Sequence, residues 1–456
     1  MADEVAAPGA EELCGLDELG LLRRFRRDLH RIPELDFDLP ETTSYVEGVL
    51  AGLSCEVARP CESCVTAFFD AGAGRATAIR ADMDALPIAE ATGVAFCSSH
   101  AGKMHACGHD AHMAMALATA VLVDRRLRER PGSLPRDVLF VFQPAEETTG
   151  GAKTVCESGV FERYHADRIF GFHVWPDLPA GTVASHPGAL LARSSETHIK
   201  IHGESIHIAK TYGVADADSR DAMLAACRFI AGERELMARL GAEEPCICKF
   251  GQLTAGTVCN AVAGEAAIAG SLRVFSDEMF DRARLEIAEL LRSCCEGVGC
   301  TYDLDFAEGY PPVENDEALY ALAAGALDGQ GGAPELSELA DPLLIAEDFA
   351  FYQRHLPGVF FLLGVGAPAG EAAAAGGDAV QASVAAAAKP NAAQASVAAA
   401  AKPRTARASD GPAPEGSPAA DVQPYATSAL HTDALMFDER LLLPGIATYR
   451  RLLSLA

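Results

Sequence analysis

The spacing of apolar side chains predicts a protein in which helices alternate with buried strands. Apolar residues recur at helical spacing within 17–30 and 41–53, and an Ala-, Leu- and Met-rich helix is predicted over 109–128. Continuous apolar runs, typical of strands buried on both faces, occupy 65–71, 77–87, 137–147, 168–176 and 359–366. This alternation predicts an α/β fold with a mostly parallel sheet.

A different order of elements follows residue 193. The pattern predicts strand, helix, strand, strand, helix and strand within 194–309, with the helices at 219–240 and 277–294. A β-α-β-β-α-β order is typical of a ferredoxin-like unit. We therefore predict an inserted α+β domain at 194–309 within a discontinuous first domain made of 17–193 and 310–456.

Residues 369–424 are rich in alanine, proline, glycine and serine and contain the sequence QASVAAAAKP twice, at 381–390 and 394–403. The segment has almost no large apolar residues and therefore cannot form a core of its own. We predict a disordered insertion in the first domain. Its flanks are expected to fold normally, because each doubling of loop length costs only about 0.6 kcal/mol.

Composition narrows the class of protein. A formal net charge of −27 over 456 residues argues against a nucleic-acid surface, which selects for Lys and Arg patches. No apolar run reaches the ~18 residues of a membrane span, and the acidic N-terminus does not resemble a signal peptide. The fourteen cysteines are scattered, which is typical of reduced thiols in a cytoplasmic protein.

Candidate chemistry is densest in the segment MHACGHDAHM, residues 104–113. It places His105, Cys107, His109, Asp110 and His112 within eight residues. Thiol and imidazole groups at this density indicate a metal site. An alternative from the segment alone is that some of these residues only cap the helix that follows.

Other candidate ligands lie at the ends of predicted strands. Asp82 and Asp84 end the strand near 77–87, and Glu146 and Glu147 end the strand at 137–147. Open α/β sheets place their ligand sites at such ends. Another candidate, His173, lies within the predicted strand at 168–176. Taken singly, a Glu-Glu pair is more often a solvated strand end, and His173 could be a core histidine bonded to a carbonyl.

Taken together, these blocks resemble a known family, the aminoacylase and carboxypeptidase-like dinuclear metallopeptidases. The resemblance is strongest to the branch of hippurate hydrolase and indole-acetyl-amino-acid hydrolase. The matching segments, in chain order, are RRDLHRIPEL, RADMDALP, HACGHDAH, FQPAEE, GFHVWP, EDFAFY with PGVFFLLG, and LHTDALMFDE. The resemblance implies a zinc-peptidase-like catalytic domain and an inserted lid and dimerisation domain.

The resemblance also implies roles for individual residues. It implies two divalent metal ions per chain (Zn, Mn or Co), with Cys107 as the shared thiolate. The other implied metal ligands are His109, Glu147, His173 and His431. Glu146 is implied as the general base, a task that suits a carboxylate beside a ligand, and Asp84 as a carboxylate that orients a histidine or the metal cluster.

In the inserted domain the match is weaker. His207, in GESIHIAK, corresponds to a family histidine that reaches a partner subunit's site and can stabilise an oxyanion, but Ile206 replaces a small residue. Asn260 and Arg273 lie in the region that resembles the family's substrate-carboxylate site. Arg273 is a candidate there because a guanidinium matches a carboxylate. The alternatives are a plain strand-end histidine and an arginine on a solvated strand face. Glu347 matches a family block without an assigned role.

The implied activity is metal-dependent hydrolysis of the amide bond of small N-acyl amino acids or dipeptide-like analogues, by a homodimer. Two alternatives are considered. A non-catalytic binding or regulatory member would be expected to lack the base or a ligand, and all of these residues are present. The second alternative is a peptidase that acts on dipeptides; the Cys-containing cluster favours the branch that acts on acyl amino acids.

Overall fold

The computed structural model describes residues 5–148, 150–329, 332, 334–368 and 422–456, which form two compact units. The first unit contains residues up to Gly188, Glu314–Asp341 and the described residues from Phe351 onward. The second contains Ala189–Val313 and also Pro342–Ala350, whereas the sequence suggested a single insert at 194–309. Residues 369–421 of the predicted disordered insertion lie outside the described residues.

The helices are, in chain order, Ala10–Cys14 (α1), Glu18–His30 (α2), Pro40–Leu50 (α3), His109–Glu129 (α4), Gly151–Glu157 (α5), Val160–Arg163 (α6), Ala222–Leu240 (α7), Asp277–Glu296 (α8), Glu317–Ala326 (α9), Ala350–Gln353 (α10) and Leu443–Leu452 (α11). The strands are Glu56–Ala58 (β1), Val65–Phe69 (β2), Ala76–Asp82 (β3), Asp137–Gln143 (β4), Ala166–Pro179 (β5), Val183–Ser185 (β6), Gly188–Leu191 (β7), Arg193–His202 (β8), Ile247–Ala255 (β9), Glu265–Val274 (β10), Thr301–Phe306 (β11), Val313–Asn315 (β12), Leu336–Glu338 (β13) and Gly358–Gly366 (β14). Short 3-10 turns cover Ile208–Thr211, Asp216–Asp218 and Glu439–Leu442.

The first unit is built on an eight-stranded sheet with the order β1-β2-β4-β3-β5-β14-β6-β13. Its four central strands, β4, β3, β5 and β14, are parallel. The antiparallel pairs are β1 with β2, β2 with β4 and β6 with β14, whereas β13 pairs parallel with β6. The predicted α/β fold with a mostly parallel sheet is therefore confirmed. The strands β3, β4 and β14 are buried along their whole length, which explains their continuous apolar sequences.

Helices α2 and α11 pack against α4, which is buried along most of its length. The short helix α1 adds Leu13 to the same core, so residues 10–14 belong to the packed unit. Asp17 caps α2 by accepting a hydrogen bond from the backbone N–H of Gly20, which fixes where this helix begins.

Three neighbouring parallel strands bring polar residues to one edge of the sheet. The register pairs Asp82, the last residue of β3, with Gln143, the last residue of β4. Neighbouring β5 pairs its Gly171 with Arg80 of β3, so His173 lies two residues further toward the same edge. Because carboxyl ends of parallel strands meet at one edge, residues distant in sequence converge there.

The second unit contains a four-stranded antiparallel sheet with the order β11-β8-β10-β9. Its elements follow one another as strand, helix, strand, strand, helix and strand, which is the ferredoxin-like order that the sequence predicted. Apolar residues of α7 and α8, including Phe229 and Ile287, pack with Ile199 and Ile268 of the sheet in a separate core.

Candidate metal centre

Helix α4 begins inside the His- and Cys-rich segment, and its start is set by a glycine. Gly108 precedes the helix with φ of +87°, a left-handed conformation that favours glycine. A Cβ at this position would lie 2.4 Å from Cγ2 of Val174 in β5. The close approach of the loop to β5 places Cys107 and His109, on either side of the glycine, beside His173.

Five predicted ligands meet at this point. The Cys107 Sγ lies 3.3 Å from Nε2 of His173 and 3.3 Å from Nε2 of His431. The Glu147 Oε1 lies 3.4 Å from His431 Nε2 and 3.7 Å from His109 Nε2. All five side chains are buried or nearly so.

The five donors divide into two groups of three that share one atom. The ligand atoms of Cys107, His109 and His173 lie within 4.8 Å of one another, as do those of Cys107, Glu147 and His431. Cys107 therefore belongs to both groups, which is the position of a donor shared between two ions.

The two buried histidines of the first group are oriented by backbone carbonyls. The Nδ1 of His109 lies 2.7 Å from the carbonyl oxygen of Asp84, and the Nδ1 of His173 lies 2.7 Å from that of Val174. Each Nδ1–H donates to a carbonyl, so each Nε2 faces the cluster and is the atom that a metal ion would bind. This is the arrangement that metal-ligating histidines usually show.

The Glu146-Glu147 pair lies in a turn after β4, and not within the strand as the sequence suggested. Ala145 has a φ of +55°, which turns the chain sharply. The carboxylate of Asp84 accepts hydrogen bonds from both following N–H groups, at 3.0 Å from Glu146 and 3.0 Å from Glu147. Asp84 thus holds the turn through its carboxylate and His109 through its carbonyl.

Asp82 and His112 of the same motifs are engaged elsewhere. The Nδ1 of His112 lies 2.6 Å from the Asp82 carboxylate, and its Nε2 accepts the backbone N–H of Val174 at 2.9 Å. Asp82 also forms an ion pair with Arg80 at 2.7 Å, with both side chains fully buried. Because both nitrogens of His112 have partners, it positions β5 and has no lone pair left for a metal ion.

The sequence did not identify a second buried network behind the motif. The carboxylate of Asp110 lies 2.8 Å from Nδ1 of His30 and 3.3 Å from Nε of Arg26. The other nitrogen of His30 lies 3.2 Å from Glu90. Burial lowers the pKa of His30, but the charges of Asp110 and Glu90 outweigh it and raise this pKa to about 9. Arg26 and His30 lie in the matched segment RRDLHRIPEL, the signal that could have identified them.

The electrostatics of the cluster fit a bound cation. Burial alone lowers the pKa of His431, but the neighbouring Cys107 and Glu147 raise it to about 11. Asp82 and Cys107 likewise raise the pKa of His109 far above its usual range, against the effect of burial. Nε2 of His109 is buried without a hydrogen-bond partner among the residues described. The cluster therefore combines anionic groups, which favour a positive charge at the histidines, with a buried imidazole nitrogen that has no hydrogen-bond partner among the described residues. Both features suit the binding of a divalent metal ion.

The remaining predicted residues lie in the second unit. His207 is exposed, and its Nδ1 accepts the backbone N–H of Ala209 at 3.2 Å. Asn260, also exposed, lies next to it, because its carbonyl accepts the N–H of Ile208 at 3.1 Å. Arg273 is not on a solvated strand face: it is largely buried and donates to the carbonyl of Leu344 at 2.7 Å.

An α/β unit with a buried cluster of thiol, imidazole and carboxylate donors near its strand ends is a scaffold that suits a metal-dependent hydrolase. The family described as "Peptidase family M20/M25/M40" matches residues 78–389. The chain belongs to this peptidase family. The broader family resemblance is thereby confirmed, and the chain is an amidohydrolase of the kind that the sequence predicted.

Individual relatives give a more specific comparison than the family does. The N-acetyldiaminopimelate deacetylase of Streptococcus gordonii is 34% identical over 356 residues, which cover 76% of this chain and 90% of that protein. The enzyme of the same name from Exiguobacterium sibiricum is 34% identical over 345 residues, covering 75% and 89%. Both names point to deacetylases, and not specifically to hippurate hydrolase.

A solved structure supports the assignment to the M20 family. The Bacillus subtilis YXEP protein, described as a dinuclear metal-binding peptidase of the M20 family, is 28% identical with a TM-score of 0.71. The comparison covers 95% of this chain and 96% of that one.

The described residues contain no helix with both the length and the apolar character that a membrane span requires.

Proposed function

We propose that this protein hydrolyses the amide bond of small N-acyl amino acids, releasing a carboxylic acid and an amino acid. The observation that carries the proposal is the pair of three-donor groups that share Cys107, with Glu146 next in sequence to one of the donors. Such a site suits amide hydrolysis, which needs an activated water and a group that moves its proton.

Cys107, His109 and His173 would hold one divalent ion, and Cys107, Glu147 and His431 a second. Zinc, manganese and cobalt all accept this mixture of thiolate, imidazole and carboxylate donors. When bound, the two ions would supply an acidified water and electrostatic stabilisation of the developing oxyanion.

Glu146 is the proposed general base. Its carboxylate is buried, and Oε2 lies 4.0 Å from Nε2 of His109, at the margin of the donor cluster. A carboxylate there can take a proton from the attacking water and deliver it to the leaving nitrogen. Asp84 is the proposed positioning residue, because it fixes the backbone of Glu146 and the ring of His109.

The names of the relatives favour an acetyl group as the acyl part and an amino acid with further polar groups as the other part. Benzoyl and indole-acetyl groups, which the branch suggested by the sequence would take, form the alternative. Arg273 and Asn260 are proposed to recognise the substrate carboxylate, for which a guanidinium is a well-matched partner. His207 is proposed to stabilise the oxyanion.

A homodimer through the second unit is part of the proposal. Strand β9 is an edge strand, and most of its side chains are exposed. Large apolar side chains of the second unit are also exposed, namely Leu253 of β9, Val258 shortly after it in the sequence, and Tyr212. Unpaired strand edges and exposed apolar groups favour pairing with a second copy. We also propose a cytoplasmic location, since all fourteen cysteines are free thiols.

The test is turnover of a panel of substrates by purified protein, stripped with a chelator and then reloaded with Zn²⁺, Mn²⁺ or Co²⁺. The panel contains N-acetyldiaminopimelate, other N-acetyl amino acids, N-benzoylglycine and an unblocked dipeptide. We expect metal-restored cleavage of the N-acetyl substrates. Preferred cleavage of the dipeptide would favour a dipeptidase, and no turnover with two bound ions per chain would favour a non-catalytic member.

A further inference from the structure

Two cysteines that the candidate site does not use lie together in a tight turn between β1 and β2. Cys61 and Cys64 are the outer residues of the sequence Cys-Glu-Ser-Cys. The backbone N–H of Cys64 donates to the carbonyl of Cys61 at 3.3 Å, which closes a four-residue turn. Ser63 has a φ of +51°, and its hydroxyl donates to the carbonyl of Phe37 at 2.5 Å, which holds the turn in place.

The turn brings the two sulfur atoms into range of one another. The Cα atoms of residues i and i+3 in such a turn lie less than about 7 Å apart, which overlaps the separation that a disulfide requires. Each thiol shifts the pKa of the other. Neither cysteine is paired in a disulfide in this structure, and the turn would let the two form a bridge with little movement of the backbone.

The two thiols differ in exposure and acidity. Cys61 is partly exposed, whereas Cys64 is fully buried. The hydrogen bond from the Cys64 thiol lowers the pKa of Cys61, while burial raises the pKa of Cys64. An accessible, more acidic thiol backed by a buried one is the arrangement of an attacking and a resolving cysteine.

A metal site at this turn is less well supported. In the residues that the structure describes, neither Cys61 nor Cys64 belongs to a cluster of three or more side chains that could hold a metal ion. A structural metal site needs about four such ligands. The pair therefore points to thiol chemistry.

We propose that Cys61 and Cys64 form a redox-active thiol pair that low-molecular-weight disulfides convert to an intramolecular disulfide. The Cys61 thiolate attacks one sulfur of the small disulfide and bonds to it. The S–S bond of the small disulfide breaks, and its other half leaves as a thiolate. The Cys64 thiol then loses its proton and attacks the Cys61 sulfur, which releases the second small thiol. Two protein thiols are oxidised, and one small disulfide is reduced to two thiols.

The test uses the full chain with its metal ions bound, exposed to oxidised glutathione and then quenched with N-ethylmaleimide. Glu62 separates the two cysteines and Glu56 separates them from Cys55, so a protease that cuts after glutamate releases them on different fragments. We expect the two fragments to remain joined without reductant, with no maleimide on either Cys61 or Cys64. Fragments that separate would overturn the proposal.

Two variants test the order of the steps, and a third is the control. Cys64→Ser should accumulate glutathione on Cys61, because the resolving thiol is missing. Cys61→Ser should leave Cys64 unmodified, because that thiol is buried. Cys97→Ser removes an exposed cysteine elsewhere and should bridge as the unmodified protein does. A Cys64→Ser protein whose Cys61 stays free, while Cys97 carries glutathione, would refute the assignment of Cys61 as the attacking thiol.

Discussion

Replacing Asp84 by asparagine tests whether one carboxylate positions the proposed base and ligand. The asparagine would keep the size of the side chain but lose one acceptor oxygen, and its amide group would face a backbone N–H. The carboxylate now accepts two buried hydrogen bonds, from the N–H groups of Glu146 and Glu147, at 3.0 Å each. The change is therefore directed at the turn that carries both glutamates.

The expected size follows from these two bonds. A hydrogen bond to a charged group contributes about 1.5–3 kcal/mol, and a neutral one about 0.5–1.5 kcal/mol. Losing one bond and weakening the other removes roughly 2–4 kcal/mol of support from the turn. If the whole of this loss is added to the activation free energy of the reaction, kcat falls roughly 30- to 1000-fold, since 1.36 kcal/mol corresponds to a factor of ten.

Asp137 provides a matched control. Its carboxylate also accepts backbone N–H groups, from Ala71, Ala73 and Gly74, but in the turn before β3 at the other end of the strand. Asp137→Asn should lower the free energy of unfolding and leave kcat within about twofold of the unmodified protein.

The assay measures kcat, bound metal and urea unfolding for both variants. We expect Asp84→Asn to lose kcat while it still binds metal, and Asp137→Asn to lose stability alone. The reasoning is refuted if a folded, metal-loaded Asp84→Asn protein keeps its kcat, or if both variants lose kcat equally.

Three further predictions concern other residues of the first unit. Glu146→Gln should lower kcat by about 10²- to 10⁴-fold, because the amide cannot accept a proton; metal analysis should show an unchanged content, and a lost ion would instead make Glu146 a ligand. Cys107→Ser should reduce the content of both ions, since both donor groups include this thiol, whereas loss of only one ion, measured by the same analysis, would contradict the shared role. The pKa of His30 rises from an ordinary 6.5 to about 9 in the folded protein. The stability that the charged imidazole contributes to the folded protein is therefore complete below pH 6.5 and is lost as the pH rises to 9. Urea unfolding should therefore show a loss on the order of 3 kcal/mol over this range that is missing in His30→Gln, and parallel pH profiles would show that His30 is not charged.

Much of the scaffold could be predicted from local pattern. Continuous apolar runs identified the buried parallel strands, and the β-α-β-β-α-β order identified the second unit. Boundaries were less certain where polar residues follow a strand. The run at 137–147 was predicted as one strand, but β4 ends at Gln143 and the two glutamates lie in a turn. A turn with a left-handed alanine has no strong sequence signal, because Ala145 is an unusual residue for that conformation.

The sequence by itself determined which donor types are present: one cysteine, histidines and paired carboxylates within segments that match a family. Only the tertiary structure decided how they act. It brings Cys107 into contact with His431, which is 324 positions away in the sequence. It also distinguishes His109, whose Nε2 faces the cluster, from His112, whose two ring nitrogens both have hydrogen-bond partners. It also revealed that Asp84 works on a backbone turn 62 and 63 positions distant. The physical reason is that lone-pair direction and long-range contact depend on strand register and packing, which no local pattern encodes.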